Sequence, residues 1–396
     1  MATKINVRSP YYAYKAQTSG TWVYAEWEIR VWSGLDISDK PASADYTFTK
    51  NFVNNNVNLE ISEIVRDFIE HTNEYSVGDS VKWVRVDGDF YRDTDPAGNP
   101  SGTYGLTTIA FDGYGYFEEG INPELSKTKL FSNKVIWRPE DENIRIPVYG
   151  YTMMDIVMVS NGQPVRTINH RYPSGELDTD EMIAYYSVSG DISADNYKQR
   201  VLSAEGIYET NPLLIELDNY VDINLVDEIR IYPLNASPIY VEAPYEKIEV
   251  RTHKCDKYPD RKVTFVNKFG ALQDVYFFAK EVESITTSGE QYKSNIYDLT
   301  TNSYSTTAHQ YQQFDRQAKE RITLSTGYVS EDYNEVIKQL MMSEYVWLTK
   351  TTDESSNIYP VIPRTSDVTF KTSLNDKLVS YDIEFDFAFD KIQNVR

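Results

Sequence analysis

Residues 379–389 read VSYDIEFDFAF, and this stretch near the end of the 396-residue chain decides how the rest of the sequence is interpreted. Apolar side chains alternate with polar ones, which is the period of a β-strand with one buried face. At about 3.4 Å per residue the stretch would span roughly 37 Å, so it predicts one unusually long strand. The apolar face forms a predicted aromatic wall, whose candidate core and assembly residues are Tyr381, Ile383, Phe385, Phe387 and Phe389.

Other parts of the chain carry the same strand signal. Alternation over residues 23–32 predicts a half-buried antiparallel strand. The dipeptide Asn161-Gly162 between two apolar runs predicts a β-hairpin. Residues 289–313 are rich in Ser, Thr, Asn, Gln and Tyr, and they predict an extended excursion or a mobile arm.

Helical spacing of apolar residues occurs in two places. Residues 59–71 have apolar side chains at the spacing of an amphipathic helix. A second helix is predicted to start at Ser330 as its cap, with Glu331 and Asp332 in the first turn, where carboxylates meet the positive end of the helix dipole.

These patterns predict a mainly β protein with two or more short helices, built from several antiparallel β-sandwich or barrel modules. Three domains are expected. They are a β-rich domain with one helix over 1–145, a small β-sandwich over 146–250, and a β domain over 251–396 with a helix near 330–343 and the long terminal strand.

The charge and the cysteine content narrow the function. The formal net charge is −21, which repels phosphate backbones and anionic lipid, so sequence-specific nucleic-acid binding is not expected. The first residues lack the apolar core of a signal peptide and no run reaches transmembrane length, so neither secretion nor membrane insertion is expected. Cys255 is the only cysteine, which rules out an intramolecular disulfide and suits synthesis and folding in a cytoplasm.

The acidic and histidine residues form no catalytic signature. Pairs of carboxylates near aromatic residues, as in glycosidases, are Asp87 with Asp89, Asp93 with Asp95, and Asp112 with Glu118. A chain with 60 acidic residues produces such neighbours by chance. No Gly-x-Ser-x-Gly elbow and no phosphate loop occurs, and His71, His170 and His309 are expected at the surface. The prediction is that the chain is not an enzyme and has no catalytic residues and no cofactor.

A metal site is not predicted either. Asp93-x-Asp95 followed by Gly98 begins like a calcium loop, but position five is Ala97 and position twelve is Tyr104. Because the EF-hand pattern needs an oxygen ligand at both positions, the sequence favours a solvated acidic loop over a loosely bound calcium ion.

Tyrosine supplies most of the aromatic content, with 32 Tyr against 16 Phe and 6 Trp. Tyrosine suits half-buried strand surfaces and is also common at interfaces. The stretch FDGYGYFEE at 111–119 can be interpreted as a sugar-stacking surface or as a strand and turn punctuated by glycine, and the sequence favours the second interpretation.

Four segments resemble virion structural proteins of tailed bacteriophages, particularly those of Bacteroidetes and marine hosts. They are KINVRSPYY at 4–12, VTFVNKFGALQDVYFF at 263–278, STGYVSEDYNEVIKQLMMSE at 325–344 and KTSLNDKLVSYDIEFDFAFDKIQNVR at 371–396. The resemblance covers little of residues 150–250 and includes no catalytic motif. It implies a virion component of the tail, baseplate or neck, whose partners are copies of itself and other virion proteins.

Two functional classes therefore stay open. One is an assembly component that forms a symmetric ring. The other is a receptor- or glycan-binding module of the tail tip or particle surface, with Tyr and Trp as the contact residues. Exposed tyrosines on subunit contacts would favour assembly, whereas an outward cleft lined by aromatic rings would favour sugar binding.

Overall fold

The computed structural model describes residues 3–17, 22–72, 80–96, 98–123, 129–140, 142, 144–150, 152–170, 177–188, 201–202, 208–209, 223–234, 246–254, 257–351, 356–365, 368–370 and 378–392. Cys255 lies outside these residues. Over these described residues the protein is mainly β with two short helices, so the predicted fold class is confirmed.

The strands follow one another in short succession along the chain. Up to residue 209 they are β1 (Thr3–Asn6), β2 (Tyr12–Ala16), β3 (Tyr24–Trp32), β4 (Tyr46–Asn51), β5 (Asn56–Glu60), β6 (Val81–Tyr91), β7 (Gly102–Phe111), β8 (Val135–Pro139), β9 (Ile144–Tyr149), β10 (Met153–Ser160), β11 (Gln163–His170), β12 (Ile183–Val188), β13 (Val201–Leu202) and β14 (Tyr208–Glu209). Later strands are β15 (Glu228–Leu234), β16 (Glu246–His253), β17 (Arg261–Val266), β18 (Leu272–Phe277), β19 (Glu281–Lys293), β20 (Tyr297–Asp298), β21 (Ser303–Tyr304), β22 (Tyr311–Ser325), β23 (Val329–Ser330), β24 (Val346–Thr351), β25 (Ser356–Pro363), β26 (Leu378–Val379) and β27 (Asp382–Phe387). The helices are α1 (Ser62–Arg66) and α2 (Asn334–Met341), and short 3-10 turns cover Phe117–Glu119, Thr179–Glu181, Ile223–Leu225 and Glu331–Tyr333.

The chain divides into two compact units. The first contains Met1–Lys254, Thr264–Val275 and Asp332–Ser343, and the second contains Cys255–Val263, Tyr276–Glu331 and Glu344–Arg396. The three-domain division drawn from the sequence stays a prediction.

The first unit contains a five-stranded sheet in the order β1-β7-β6-β3-β4. β1 is parallel to β7 and the other neighbours are antiparallel. β3 confirms the strand predicted over residues 23–32, and its side chains Ala25, Trp27 and Ile29 are fully buried. Trp27 contacts Phe90 of β6 edge-on, with ring centroids 5.7 Å apart, so alternation along β3 builds the core of this sheet.

The helix predicted over residues 59–71 is wrong for most of that range. β5 ends at Glu60 and pairs with β2, with Leu59 opposite Ala13, and only Ser62–Arg66 is helical. Leu59, Ile61, Val65 and Ile69 all have buried side chains. Spacings of two and of four residues both bring a side chain to one face, so a strand followed by one helical turn satisfies the same apolar pattern.

A second five-stranded sheet of the first unit has the order β11-β10-β15-β16-β8. β10 and β11 form the predicted hairpin, and the turn residues Asn161 and Gly162 have positive φ angles of 49° and 80°. Two successive positive φ angles are what the tight two-residue turn requires, and Asn-Gly adopts them at low cost. The hairpin prediction is confirmed.

The start of α2 differs from the prediction. Ser330 lies at the end of β23, Glu331–Tyr333 forms a 3-10 turn, and the residue that precedes the helix is Tyr333. The predicted cap at Ser330 is therefore wrong, because a tighter turn takes the place of the first helical turn. The sequence spacing predicts an apolar stripe of Val336, Ile337, Leu340 and Met341 for this helix; the first three are buried, and Met341 is half-buried.

In the second unit five strands lie side by side in the order β24-β25-β27-β22-β19, and every neighbouring pair is antiparallel. Ile322 of β22 lies opposite Phe385 of β27, and Leu324 lies opposite Ile383. All four of these side chains are buried, so this face of the sheet forms the core of the unit.

The terminal strand is shorter than the predicted eleven residues. Leu378–Val379 forms β26, which pairs with β23, and Asp382–Phe387 forms β27. Between them the Thr326 amide donates to the Tyr381 carbonyl at 2.9 Å, and the Tyr381 amide donates to the Thr326 hydroxyl at 3.0 Å. A side-chain oxygen here replaces a backbone carbonyl as acceptor, so the ladder is interrupted although the alternation of side chains continues.

Candidate interaction arm

The structure places the five predicted wall residues in two environments. Tyr381, Ile383, Phe385 and Phe387 are buried, whereas Phe389 lies beyond the end of β27 and is 40% exposed. The Phe389 ring contacts the rings of Phe387 at 5.6 Å and Tyr359 at 6.1 Å, so it covers the edge of the core. Four of the five candidates are therefore core residues, and the exposed features of this unit lie elsewhere.

The most exposed feature of the second unit is the hairpin formed by β19, β22 and their connection, residues 281–325, which we call the arm. β19 has thirteen residues and β22 has fifteen. Near its base the arm is part of the sheet, where Ala318, Ile322 and Leu324 are buried. From Tyr311 to Arg316 and from Val282 to Lys293 every side chain is exposed. The extended excursion predicted over 289–313 is thus the outer part of a two-stranded β ribbon.

Local sequence explains why the arm forms a ribbon. β-branched residues Val282, Ile285, Thr286 and Thr287 favour extended backbone in β19. The register changes between Ser288 and Glu290 of β19, whose opposite residues on β22 are Gln317 and Phe314. Over this interval β22 has one residue more than β19, and Asp315 of β22 has a φ of +48°. The bulge therefore belongs to β22, and β19 stays regular.

The tip of the arm has its own small sheet. β20 pairs with β21, and Tyr297 lies directly opposite Tyr304. The Asp298 carboxylate accepts hydrogen bonds from the Thr300 amide at 2.8 Å and the Thr301 hydroxyl at 3.0 Å, and these bonds lower the pKa of Asp298. The side chain thus stabilises the turn between the two short strands.

An open cleft of about 620 Å³ lies at the tip. Its lining includes both tyrosines, Lys293, Asn295 and Gln310. Tyr297 and Tyr304 are 44% and 62% exposed, so two aromatic rings and several amide or ammonium groups face solvent together.

The arm also displays apolar side chains to solvent along its length. The exposed large apolar residues are Val282, Ile285, Tyr292, Tyr297, Leu299, Tyr304, Tyr311 and Phe314. Tyr292 and Phe314 contact each other edge-on, with ring centroids 5.8 Å apart, so they share one face of the ribbon. A ribbon of two strands is marginally stable in water by itself, and contiguous exposed apolar surface marks interaction sites.

Ion pairs anchor the base of the arm within the second unit. The Arg261 guanidinium donates to both carboxylate oxygens of Glu281 at 2.6 and 2.9 Å. Arg321 of β22 pairs with Glu384 at 2.6 Å and with Asp386 at 2.8 Å. Burial alone would raise the pKa of Asp386, but hydrogen bonds from Arg321 and Arg364 lower it below its usual value.

Three of the six carboxylates considered for catalysis have structural partners: Asp87, Asp95 and Asp112. Asp87 pairs with Arg30 at 3.0 Å and with Arg85 at 2.6 Å. Asp112 accepts from His71 at 3.0 Å, and both side chains are buried. Asp95 accepts hydrogen bonds from the Ser101 hydroxyl and from the Arg92 amide, and these bonds lower the pKa of Asp95 and close the surrounding turn.

Two histidines were wrongly expected at the surface. His71 is buried against Asp112, and His170 is buried with its ring nitrogen 2.9 Å from the Gly150 carbonyl. Each has a polar partner, which removes the main cost of burying an imidazole. His309 is exposed on the arm, as expected.

The sugar-stacking interpretation of residues 111–119 is wrong for both tyrosines. Tyr114 is buried, and burial raises its pKa to about 12. The Tyr116 ring carries the Lys268 ammonium 4.1 Å and the Lys338 ammonium 3.8 Å from its centroid, and its hydroxyl donates to Glu335 at 2.6 Å. Both lysines and the carboxylate hold this ring in place, so it is a packing element of the first unit.

Among the described residues, no helix is long and apolar enough to cross a membrane. Over the same residues no group of three or more His, Cys, Asp or Glu side chains converges as metal ligands do. Compared with known proteins, the chain matches no family model and no curated protein sequence.

Proposed function

We propose that this chain is a structural protein of a bacteriophage virion, an assembly component of the tail, baseplate or neck that binds copies of itself and other virion proteins. The observation that carries the proposal is the arm. It extends as a ribbon beyond the buried base at Ala318 and displays eight large apolar side chains to solvent.

Such an arm is useful to a subunit that is assembled after it folds. The base belongs to a packed sheet and holds the ribbon in one direction, while the outer part contributes little to the core of its own unit. Apolar side chains and strand edges on the ribbon gain stability when a neighbouring subunit covers them. The chain is proposed to fold in the host cytoplasm and to enter the virion when neighbouring subunits cover its arm.

The charge of the chain is compatible with that place. A net charge of −21 repels phosphate, so a ring of these subunits could line a channel through which DNA passes without adhering. A reconstruction of the assembled ring tests this part of the proposal, because a neutral or basic lumen would contradict it.

Removal of the arm tests the assembly role. Ser288 and Gln317 lie opposite each other, so an Asn-Gly turn can join them and replace the outer ribbon. We expect the wild-type chain to form oligomers of closed symmetry by light scattering and negative-stain electron microscopy, and the shortened chain to remain folded but smaller. If both chains stay monomeric at high concentration, the proposed assembly role is wrong.

A matched pair of point variants separates the arm from general surface stickiness. Leu299 on the arm is 87% exposed and Ile37 in the first unit is 70% exposed. Leu299→Ser should weaken the oligomer, whereas Ile37→Ser should leave it unchanged. The virion location is tested separately by mass spectrometry, which should detect peptides of this chain in purified particles.

The second candidate is a receptor- or glycan-binding module, and the cleft at the tip favours it. Tyr297 and Tyr304 offer two neighbouring rings for stacking on a sugar, with Asn295 and Gln310 as hydrogen-bonding groups. A glycan array with wild type and Tyr297→Ala, with Tyr14→Ala as an exposed control outside the arm, tests it. An array without hits argues against this function.

The proposal gives the chain no catalytic role. A tail-associated depolymerase is the enzyme class that the sequence left as a distant alternative. Loss of a measured hydrolytic activity in Asp87→Ala or Asp112→Ala, with the fold retained, would restore that alternative.

A further inference from the structure

The outer edge of β19 is the feature from which a specific partner can be inferred. Among the residues that the structure describes, β19 is the last strand of its sheet, with β22 on one side only. Its thirteen residues contain no proline. Because the bulge at Asp315 belongs to β22, the backbone of β19 is regular from Glu281 to Lys293. A long, regular and exposed edge strand is a template for pairing with another strand.

The sequence of β19 is complementary to itself in the antiparallel direction. When two copies are aligned with Thr287 opposite Thr287, Glu281 of each copy lies opposite Lys293 of the other. The same alignment places Glu283 opposite Gln291 and Ser284 opposite Glu290. No two like charges are then directly opposed, and both ends of the pair carry an attractive charge pair.

The apolar residues agree with this alignment. Val282 of one copy lies opposite Tyr292 of the other, and both side chains are 47% exposed in the single chain. Tyr292 already contacts Phe314 on the same face of its own ribbon. Residues that are directly opposite in an antiparallel pair share a face, so Val282 would extend this aromatic pair into a small apolar cluster. On the other face Ile285 lies opposite Gly289, which leaves room for the larger side chain.

We propose that β19 pairs antiparallel with β19 of a second copy of this chain, about a twofold axis at Thr287, so that two arms form one continuous sheet. This inference deepens the proposed assembly function and rests on it, since it names the partner of the arm and the register of the contact.

A symmetric cysteine tests the register directly. In a Cys255→Ser background, Thr287→Cys would bring two sulfurs together, because opposite Cα atoms in an antiparallel pair are about 4.5–5.5 Å apart, within disulfide range. Lys319→Cys is the control, since Lys319 is exposed and lies on β22 opposite Thr286, next to Thr287 along the arm but on the other strand. We expect mild oxidation of the full chain to give a covalent dimer with Thr287→Cys at least tenfold faster than with Lys319→Cys. Equal rates, or no dimer from folded Thr287→Cys, would overturn the proposed pairing.

A pair of substitutions without any cross-link gives an independent result. Thr287→Lys would place two ammonium groups opposite each other, whereas Thr287→Val keeps a β-branched side chain of similar size. Light scattering over a range of concentrations gives the dissociation constant of the dimer. We expect this constant to rise at least tenfold in the Lys variant and to stay unchanged in the Val variant. Two variants with the same dimer strength would contradict the inference.

The outcomes also separate this inference from the proposed function. If Thr287→Cys gives no cross-link but the shortened arm still abolishes larger oligomers, the arm binds a different surface and the assembly function stands. If neither shortening the arm nor substituting Thr287 changes the mass of this protein's oligomer in solution, both the inference and the assembly role are wrong.

Discussion

The ring of Phe385 meets the ring of Phe277 edge-on, with centroids 6.1 Å apart and an interplanar angle of 88°. Both side chains are almost fully buried, and Phe385 also lies opposite Ile322 across the β22–β27 ladder. Edge-to-face contact is a favoured geometry for aromatic pairs. This contact ties the strand near the end of the chain to a strand more than 100 residues earlier, at the centre of the second unit.

Phe385→Asp and Phe387→Asp should therefore prevent folding of the second unit. Each would put a carboxylate without a partner into an apolar core, which costs several kcal/mol, about as much as a domain's whole stability. Circular dichroism and urea unfolding measure the effect. Phe389→Asp is the control, because its side chain is 40% exposed, and it should fold. Folded Phe385→Asp and Phe387→Asp proteins would show that the aromatic wall is not the core of this unit.

Gly162→Ala should destabilise the β10–β11 hairpin of the first unit. Gly162 has a φ of +80°, and a side chain at that angle costs about 1 kcal/mol. The free energy of unfolding in urea should fall by that amount, whereas Asn161→Gly should be tolerated because its φ is +49°. Equal stability of the alanine variant would mean that the turn relaxes to another conformation.

Asp386→Asn should change how stability depends on pH. Hydrogen bonds from Arg321 and Arg364 hold the pKa of Asp386 below its usual value of 3.8 although burial opposes them. A pKa that is lower in the folded chain stabilises the fold above the unfolded pKa, and this stabilisation is lost as the pH falls through the folded pKa. The wild type should therefore lose more unfolding free energy than Asp386→Asn when the pH is lowered from about 5 to well below 3.8.

Asp382→Asn is the control for that experiment, because Asp382 is exposed on the same strand and its substitution removes the same formal charge. The unfolding free energy of Asp382→Asn should depend on pH much as that of the wild type does, whereas the dependence for Asp386→Asn should differ. Identical profiles for the two variants would argue that the arginine pairs do not contribute to acid stability.

Tyr116→Phe should destabilise the first unit by about 1–2 kcal/mol, because the hydroxyl donates a hydrogen bond to a carboxylate in a partly buried site. The oxygen of Glu335 that accepts this bond at 2.6 Å also accepts from Gln339 at 2.9 Å, so it would keep one partner. Tyr328→Phe is the control, since Tyr328 is 74% exposed. Chemical denaturation of both variants measures the difference, and an equal effect of the two would contradict the assigned role of Tyr116.

Much of the local structure follows from the sequence. The wrong predictions concern residues whose structure depends on partners far away in the sequence. The strand over 23–32 and the Asn161-Gly162 turn were predicted correctly, because alternation and positive φ preferences act over a few residues. Residues 59–71 were mistaken for a helix because their apolar pattern fits two backbones, and pairing of Leu59 with Ala13 selects the strand. His71 was expected at the surface because its partner, Asp112, is 41 residues away in the sequence.

The candidate site was predicted less completely than the fold. The sequence identified residues 289–313 as an excursion by their polar composition, but the arm begins at Glu281 and ends at Ser325. The sequence offered residues 111–119 as a sugar-stacking surface only as the less favoured interpretation, and it did not single out Tyr297 and Tyr304, the two tyrosines that are exposed together. Whether a ring is exposed depends on which residues pack against it, and the composition of a segment does not determine those residues.

The alternating stretch 379–389 shows most clearly which features the sequence determines and which the tertiary structure decides. The sequence by itself determined which of its side chains share a face, because successive residues of an extended chain point to opposite sides whatever surrounds them. Only the tertiary structure decided that Phe387 is covered and Phe389 is 40% exposed, that Thr326 interrupts the ladder, and that β19 is the edge strand of its sheet among the residues that the structure describes. Those outcomes depend on contacts between residues far apart in the chain, and each is selected by the packing of the whole unit.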